Sequence, residues 1–89
     1  MSEPLSGYVL RRTLKTLGIS QAELARRTGL STKHINQVIT GRADLSAAVA
    51  VAIEDAIDIP AEVWIVLDAV HRVEQVRTAR PDTTEQAGA

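Results

Sequence analysis

The stretch QAELARRTGLSTKHINQVIT, from Gln21 to Thr40, has the spacing of two short helices that cross. Gly29 lies near its middle, where a residue without a Cβ can take the left-handed conformation that ends a helix. Ala25 is small enough for a second helix to cross close against it. After the turn, aliphatic residues at i, i+3 and i+4 form one stripe, which is Ile35, Val38 and Ile39. The pattern predicts a helix, a tight turn and a second helix.

The opposite face of the second predicted helix carries hydrogen-bonding side chains. They are Thr32, Lys33, Asn36, Gln37 and Thr40. Amide, hydroxyl and amine groups on one face of a helix suit contacts with base edges in the major groove of DNA. An ordinary helical hairpin would explain the apolar positions but not this polar, nearly acid-free face. We therefore interpret the pair as a DNA-binding helix-turn-helix.

Capping residues support the predicted start and end of these two helices. Ser20 precedes the first helix and Glu23 follows three residues later, which is the spacing of a reciprocal capping box. Ser31 and Gly41 are placed to begin and end the second helix.

Charge is divided unevenly along a chain whose net charge is −1. Residues 11–42 include seven basic residues and one acidic residue, whereas residues 43–89 include nine acidic and three basic residues. The net charge alone would argue against a nucleic-acid ligand. This division, however, gives the half with the helix-turn-helix an excess of positive charge that can meet phosphate. The acidic half would be repelled and would orient the domain on a duplex.

The composition limits the chain to one small helical domain. Its 89 residues are 45% hydrophobic, but only Trp64 and Tyr8 are aromatic, so the core must consist of Leu, Ile, Val and Ala. The absence of Cys excludes disulfides and thiolate metal sites and fits a reducing cytoplasm. The N-terminus lacks the pattern of a signal peptide, and the longest apolar run, residues 47–53, is too short to span a membrane. We expect a cytoplasmic protein without a membrane partner.

The predicted fold is all-α, a five-helix bundle of the repressor type. Its helices are expected at residues 6–17, 21–28, 32–40, 47–57 and 61–77. The inward stripe of the first helix is expected to be Leu10, Leu14 and Leu17. The C-terminal residues are polar or small and have little to bury, which predicts disorder. The DNA-binding domain should therefore cover residues 1–77, followed by a disordered tail at 78–89.

The fifth predicted helix has more apolar surface than a small core needs. Residues 63–67 are all apolar and cover more than half of the helix circumference, so the surplus face is expected to contact a second copy of the chain. Trp64 would bring a large contact area at a small entropy cost. The alternative is that Trp64 closes the core of the single chain. The predicted dimer interface consists of Trp64, Val66, Leu67, Val70 and Val73.

The segment LGISQAELARRTGLSTKHINQVITGRADLS, residues 17–46, resembles the helix-turn-helix of the XRE and Cro/C1-type repressors. The continuation VAIEDAIDIPAEVWIVLDAVHRV, residues 51–73, is similar more narrowly to the HigA-type (VapI-like) antitoxins. Residues 63–67, VWIVL, stand where that family has an aromatic–Trp–Leu motif. The resemblance covers about residues 7–74. It implies a dimer that binds a palindromic operator through the major groove, with a cognate toxin as a further partner.

The same resemblance implies which residues contact DNA. Base contacts would come from Thr32, Lys33, Asn36 and Gln37. The amides of Asn36 and Gln37 have the bidentate geometry that adenine offers, whereas Lys33 can reach guanine or a phosphate. Phosphate contacts would come from Gln21, Ser31, Thr40 and Arg42. Gln21 would also brace the second helix of the helix-turn-helix, here called the reading helix. For Arg11, Arg26 and Arg27, a phosphate contact and simple solvation both stay open.

No motif indicates catalysis, a metal or a cofactor. His34 and His71 lack the spacing of metal ligands, and the chain has neither a nucleophile–base pair nor a glycine-rich phosphate loop. We expect a protein that is not an enzyme. Three roles remain open from the sequence: an antitoxin that represses its own operon, a stand-alone phage- or host-type regulator, and a protein-interaction adaptor on the same fold.

Overall fold

The computed structural model describes residues 3–80 of the chain, in which five helices and no strand occur. The helices are α1 (Leu5–Leu17), α2 (Gln21–Thr28), α3 (Thr32–Thr40), α4 (Ala47–Ile57) and α5 (Ala61–Ala79). The predicted all-α, five-helix fold is confirmed. The bounds of α2, α3 and α4 agree with the sequence prediction, whereas α1 begins one residue earlier and α5 ends two residues later. Residues 78 and 79 of the predicted disordered tail belong to α5, and residues 81–89 of that tail lie outside the described residues.

Serine side chains begin three of the helices. Ser20, Ser31 and Ser46 precede α2, α3 and α4, and each Oγ accepts a hydrogen bond from the backbone N–H three residues later. The predicted capping box at α2 forms in one direction only. The Glu23 carboxylate accepts hydrogen bonds from Arg26 and Arg27 of the next turn instead. Two nearby guanidinium groups offer charge-assisted hydrogen bonds, which are stronger than a bond to a neutral backbone N–H.

One face of each helix contributes to a single aliphatic core, and Trp64 of α5 packs into it. The buried hydrophobic residues are Leu10, Leu14, Leu24, Ala25, Ile35, Val38, Ile39, Leu45, Val49, Ala50, Ile53 and Trp64. The prediction that Leu17 points inward was wrong, because Leu17 is exposed. It is the last residue of α1, and Ile19, just beyond the turn, packs against the core there.

The start of α1 lies directly against the end of α3. A Cβ atom added to Gly7 would lie 1.9 Å from the carbonyl oxygen of Ile39, so only glycine allows this approach. Pro4, which precedes α1, is buried next to Gly41 at the C-terminus of α3. These contacts hold α3 in place from behind and leave its other side facing outward. Within residues 3–80, no helix combines the length and the apolar content needed to cross a bilayer.

Candidate nucleic-acid interface

The four residues predicted to contact bases lie together on the outward side of α3. Thr32, Lys33 and Asn36 are exposed and Gln37 is half-buried, while the aliphatic stripe of the same helix is buried in the core. Cores of small helical domains tolerate little shift, because side chains interdigitate at high density. The buried stripe therefore fixes the rotation of α3 and the direction in which these polar groups point.

Gln21 at the start of α2 lies beside Asn36 on α3. The Asn36 Nδ2 group donates a hydrogen bond to Gln21 Oε1 across 3.5 Å. This contact leaves the side-chain oxygen Oδ1 of Asn36 and the second hydrogen of its amide without a protein partner among the described residues. An amide held in this way has less rotamer freedom to lose when it pairs with a base edge.

The hydroxyl groups at the two ends of α3 differ in what they can offer a phosphate. Ser31 Oγ accepts a hydrogen bond from the His34 N–H at 3.0 Å, so its own hydroxyl hydrogen stays available. Thr40 Oγ1 donates to the backbone carbonyl oxygen of Asn36 at 2.9 Å, so its hydrogen is already in use. Ser31 is therefore the better placed phosphate donor of the two.

Arg42 follows α3 in the α3–α4 loop, residues 41–46. The backbone N–H groups of Arg42 and Ala43 both donate to the Gln37 carbonyl oxygen, at 2.8 Å and 3.0 Å. The Arg42 side chain is exposed and forms no ion pair with another described residue. A cation held beside the reading helix in this way is well suited to contact a phosphate.

The arginines whose role the sequence left open are all engaged in ion pairs. Arg26 and Arg27 both contact Glu23, and Arg11 contacts Glu3. Hydrogen bonds from Arg26 and then Arg27 lower the pKa of Glu23 from 4.5 to about 2, so the carboxylate stays charged at mildly acidic as well as at neutral pH. Arg27 also donates to the Ala56 carbonyl oxygen at 3.3 Å. These pairs make all three arginines weaker candidates for phosphate contacts than Arg42.

Most of the residues predicted for a dimer interface lie on the surface of α5. Val66, Val70 and Val73 are exposed, Val66 at 58%, and Leu67 is half-buried against the core. Trp64 is 0% exposed, so its assignment to the dimer surface was wrong. In a run of five apolar residues the periodicity cannot tell which side chain turns inward, and the largest one fills the core.

The exposed valines of α5 include one that the sequence prediction missed. Val63 is exposed next to Val66, so Val63, Val66, Val70 and Val73 form a continuous line, here called the α5 stripe. Their spacing of three, four and three residues is that of the apolar seam in paired helices. The sequence contains this spacing, but the other apolar residues of the same segment made it hard to recognise.

Sequence reasoning also missed a polar network that joins α5 to α1 and to the α3–α4 loop. Asp68 is buried, and it contacts Ser6 of α1 and Arg72 of its own helix. Arg72 also reaches Asp44 of the α3–α4 loop. The spacing of Asp68 and Arg72 resembles an ordinary surface pair, and no local signal links either of them to residue 44.

The sequence profile of the Helix-turn-helix family matches residues 10–64, more than half of the chain. The matched segment includes α2, α3 and the α3–α4 loop. No curated protein matches the chain in sequence.

Three solved structures share the fold over nearly their whole length. A candidate antidote protein of a plasmid maintenance system from Nostoc punctiforme is 22% identical, with a TM-score of 0.81, and the match covers 96% of this chain and 93% of that one. PA4674 from Pseudomonas aeruginosa, solved in complex with its 18 bp operator DNA, is 25% identical with a TM-score of 0.82, over 98% and 95% of the two chains. The antitoxin GraA is 26% identical with a TM-score of 0.80, over 100% and 96%.

Proposed function

Because this chain belongs to the Helix-turn-helix family, we propose that it binds DNA in a sequence-specific manner and acts as a dimeric transcriptional repressor. The observation that carries the proposal is the outward face of α3, where Thr32, Lys33, Asn36 and Gln37 point away from the core. Each subunit would insert α3 into the major groove, and the operator would be a palindrome that mirrors the twofold symmetry of the dimer.

Phosphate contacts would fix the position of α3 in the groove. Ser31 and Arg42 flank the helix at its two ends and offer a hydroxyl hydrogen and a guanidinium that forms no ion pair within residues 3–80. Gln21 and Thr40 complete the set of proposed phosphate contacts. Gln21 already holds Asn36, and Thr40 would have to release its bond to the helix backbone before it could donate. Contacts of this kind position the protein without reading the sequence.

A second copy of the chain would cover the α5 stripe. On a helix with about 100° between successive residues, Val66 and Val73 lie within about 20° of one another, and Trp64 lies on the opposite side. The stripe therefore cannot join the core that Trp64 enters, and it stays exposed in the single chain. A dimer through α5 would bury it and would hold two α3 helices about 34 Å apart, one turn of the duplex.

The biological role that we propose is that of a HigA-type antitoxin that represses its own operon. The likeness to GraA, an antitoxin, and to PA4674, which was solved with its operator, supports this role. Co-expression with the product of the neighbouring gene tests it. A stable complex that relieves toxicity of that product is expected. Absence of any toxic partner would favour a stand-alone regulator, and absence of DNA binding would favour a protein-interaction adaptor.

Replacing Gln37 by Ala tests base readout. The side chain lies on the outward face of α3, whereas the backbone carbonyl that holds the α3–α4 loop is kept in the variant. On a preferred duplex selected from random-sequence DNA, Gln37→Ala should weaken binding by about 1–3 kcal/mol, the range for one base contact. On an unrelated duplex the loss should be far smaller. Equal losses on both duplexes, measured by fluorescence anisotropy, would show that Gln37 reads no base.

A further inference from the structure

Arg72 connects the inner side of α5 to the loop that carries Arg42. Its Nε lies 3.4 Å from Asp68 Oδ2, and its Nη2 lies 3.2 Å from Asp44 Oδ1. The second contact is an ion pair without the alignment of a hydrogen bond. Asp68 in turn accepts a hydrogen bond from Ser6 Oγ at 3.4 Å. One guanidinium therefore stands between a buried carboxylate of α5 and an exposed carboxylate of the α3–α4 loop.

The α3–α4 loop has other anchors on both sides of Asp44, and Ala43 also packs against the core. Its first half is held by the Gln37 carbonyl oxygen, which accepts from the N–H groups of Arg42 and Ala43. Its second half ends at Leu45, which is buried in the core. Between them, the side chain of Asp44 is 87% exposed, and Arg72 is its ion-pair partner. Arg42 lies two residues before this point.

The Asp44–Arg72 pair is poorly suited to a role in stability. Its Asp44 side chain is 87% exposed, although Arg72 Nη2 is buried, and an ion pair with one solvated partner contributes little to the free energy of unfolding because water screens it. A carboxylate close to a phosphate contact also lowers DNA affinity by repulsion. Asp44 would therefore weaken DNA binding unless its contact with Arg72 improves another protein–DNA contact by more than this repulsion costs.

We propose that Arg72 is a positioning residue for DNA binding. Arg72 holds Asp44 and thereby keeps the α3–α4 loop in the conformation in which Arg42 can contact a phosphate. The planar guanidinium can face Asp68 and Asp44 at the same time, which a lysine ammonium could not do with the same geometry. The proposal rests on the proposed DNA-binding function. Arg72 would also link the α3–α4 loop to α5, so that the position of α5 in a dimer would affect the phosphate contact of Arg42.

The test is the substitution Asp44→Asn, compared with Glu74→Gln. Both remove one exposed carboxylate charge that pairs with an arginine of α5, since Glu74 contacts Arg77. Electrostatics alone predicts that both variants bind DNA slightly more tightly. If Arg72 positions the loop, Asp44→Asn should instead bind the selected duplex about tenfold more weakly. This is the loss expected when the charge-assisted hydrogen bond from Arg42 to a phosphate no longer forms. The slope of log affinity against log salt should fall by about 0.9, the value for one phosphate contact.

A second variant, Arg72→Met, should show the same loss, and the double variant should lose no more. If Arg72→Met fails to fold because Asp68 is left buried without its partner, Asp44→Asn carries the test alone, with urea unfolding to confirm wild-type stability. Asp44→Asn binding as tightly as Glu74→Gln, or more tightly, would overturn the positioning role and leave the proposed function intact. Wild-type protein that binds no duplex would overturn both.

Discussion

At Gly7, a hydrogen atom in place of a side chain decides how closely α1 can approach α3. The carbonyl oxygen of Ile39 occupies the position that a Cβ would take. Ile39 is a buried residue of the reading helix, two residues from Gln37. A change at Gly7 therefore acts on the proposed DNA-binding surface from the opposite side of the helix.

Gly7→Ala should destabilise the protein and weaken DNA binding together. In an unobstructed helix the same change stabilises by about 0.5–1 kcal/mol. Here the overlap with Ile39 should reverse the sign, with a net loss of about 1–3 kcal/mol as for other overpacked sites. Urea unfolding and DNA titration measure the two effects.

Gly18→Ala is the matched control for this prediction. Gly18 ends α1 with a φ of 71° and has open space around it, so alanine there is strained but displaces nothing. It should lose stability, by about 1–2 kcal/mol, and keep its DNA affinity in the folded state. Gly7→Ala that proves more stable than the wild-type protein would contradict the close approach of α1 to α3.

Single residues also mark the limit of what the sequence could predict. The polar face of α3 was recognised because its residues are neighbours in sequence with helical spacing. The contacts of Gly7 with Ile39 and of Arg72 with Asp44 join positions that are 32 and 28 residues apart. No local pattern encodes such pairs, because they depend on how whole helices pack.

Among the helices, the end of α4 has an unusual cap. Asp58 takes a left-handed conformation with φ 62° and ψ 39°, at a place where glycine ends α1, α2 and α3. A Cβ makes this conformation costly, and a negative charge at a helix C-terminus is unfavourable for the helix dipole. Both effects make Asp58 a poor choice for stability.

Asp58→Gly should therefore stabilise the protein by about 0.5–1 kcal/mol. Asp55→Gly, an exposed change within α4 three residues earlier, removes the same charge and should destabilise by a similar amount. The midpoints of urea unfolding of the two variants should move in opposite directions. Lower stability of Asp58→Gly would show that the Asp58 side chain has a stabilising role that the described contacts lack.

The elements differ in how well the sequence defined them. The bounds of α2, α3 and α4 were correct because a serine cap precedes each one, and a cap is a local signal. The start of α1 was less accurate because Pro4 precedes it without a side-chain cap, and the end of α5 was less accurate because Arg80, and not a glycine, follows it. Within α5, the placement of Trp64 depended on the core and not on the apolar run itself.

At the scale of the whole molecule, the proposed dimer through the α5 stripe and the proposed DNA contact through the polar face of α3 depend on each other. Val73→Glu should separate the dimer, because a charge buried within an apolar contact loses its hydration and gains no partner. Helicity should be kept, since Val73 is 46% exposed in the single chain. Affinity for the selected duplex should then collapse, because one half-site alone makes too few contacts.

Val76→Glu is the control for this change. Val76 is 70% exposed and follows Val73, the last residue of the stripe, at about 60° around α5. Sedimentation velocity should find a dimer for the wild-type protein and for Val76→Glu, and a monomer for Val73→Glu. Wild-type protein that remains monomeric at high micromolar concentration would exclude a stable dimer through the stripe.

Selection of duplexes from a random-sequence DNA pool tests the central claim of sequence-specific binding by α3 most directly. After several rounds of binding and amplification, the enriched sequences should share a palindrome whose half-sites are centred about one helical turn, or about 34 Å, apart. The Gln37→Ala protein should relax the preference at one position in each half-site. A pool that stays random, or protein that binds all duplexes equally, would contradict sequence-specific recognition by this chain.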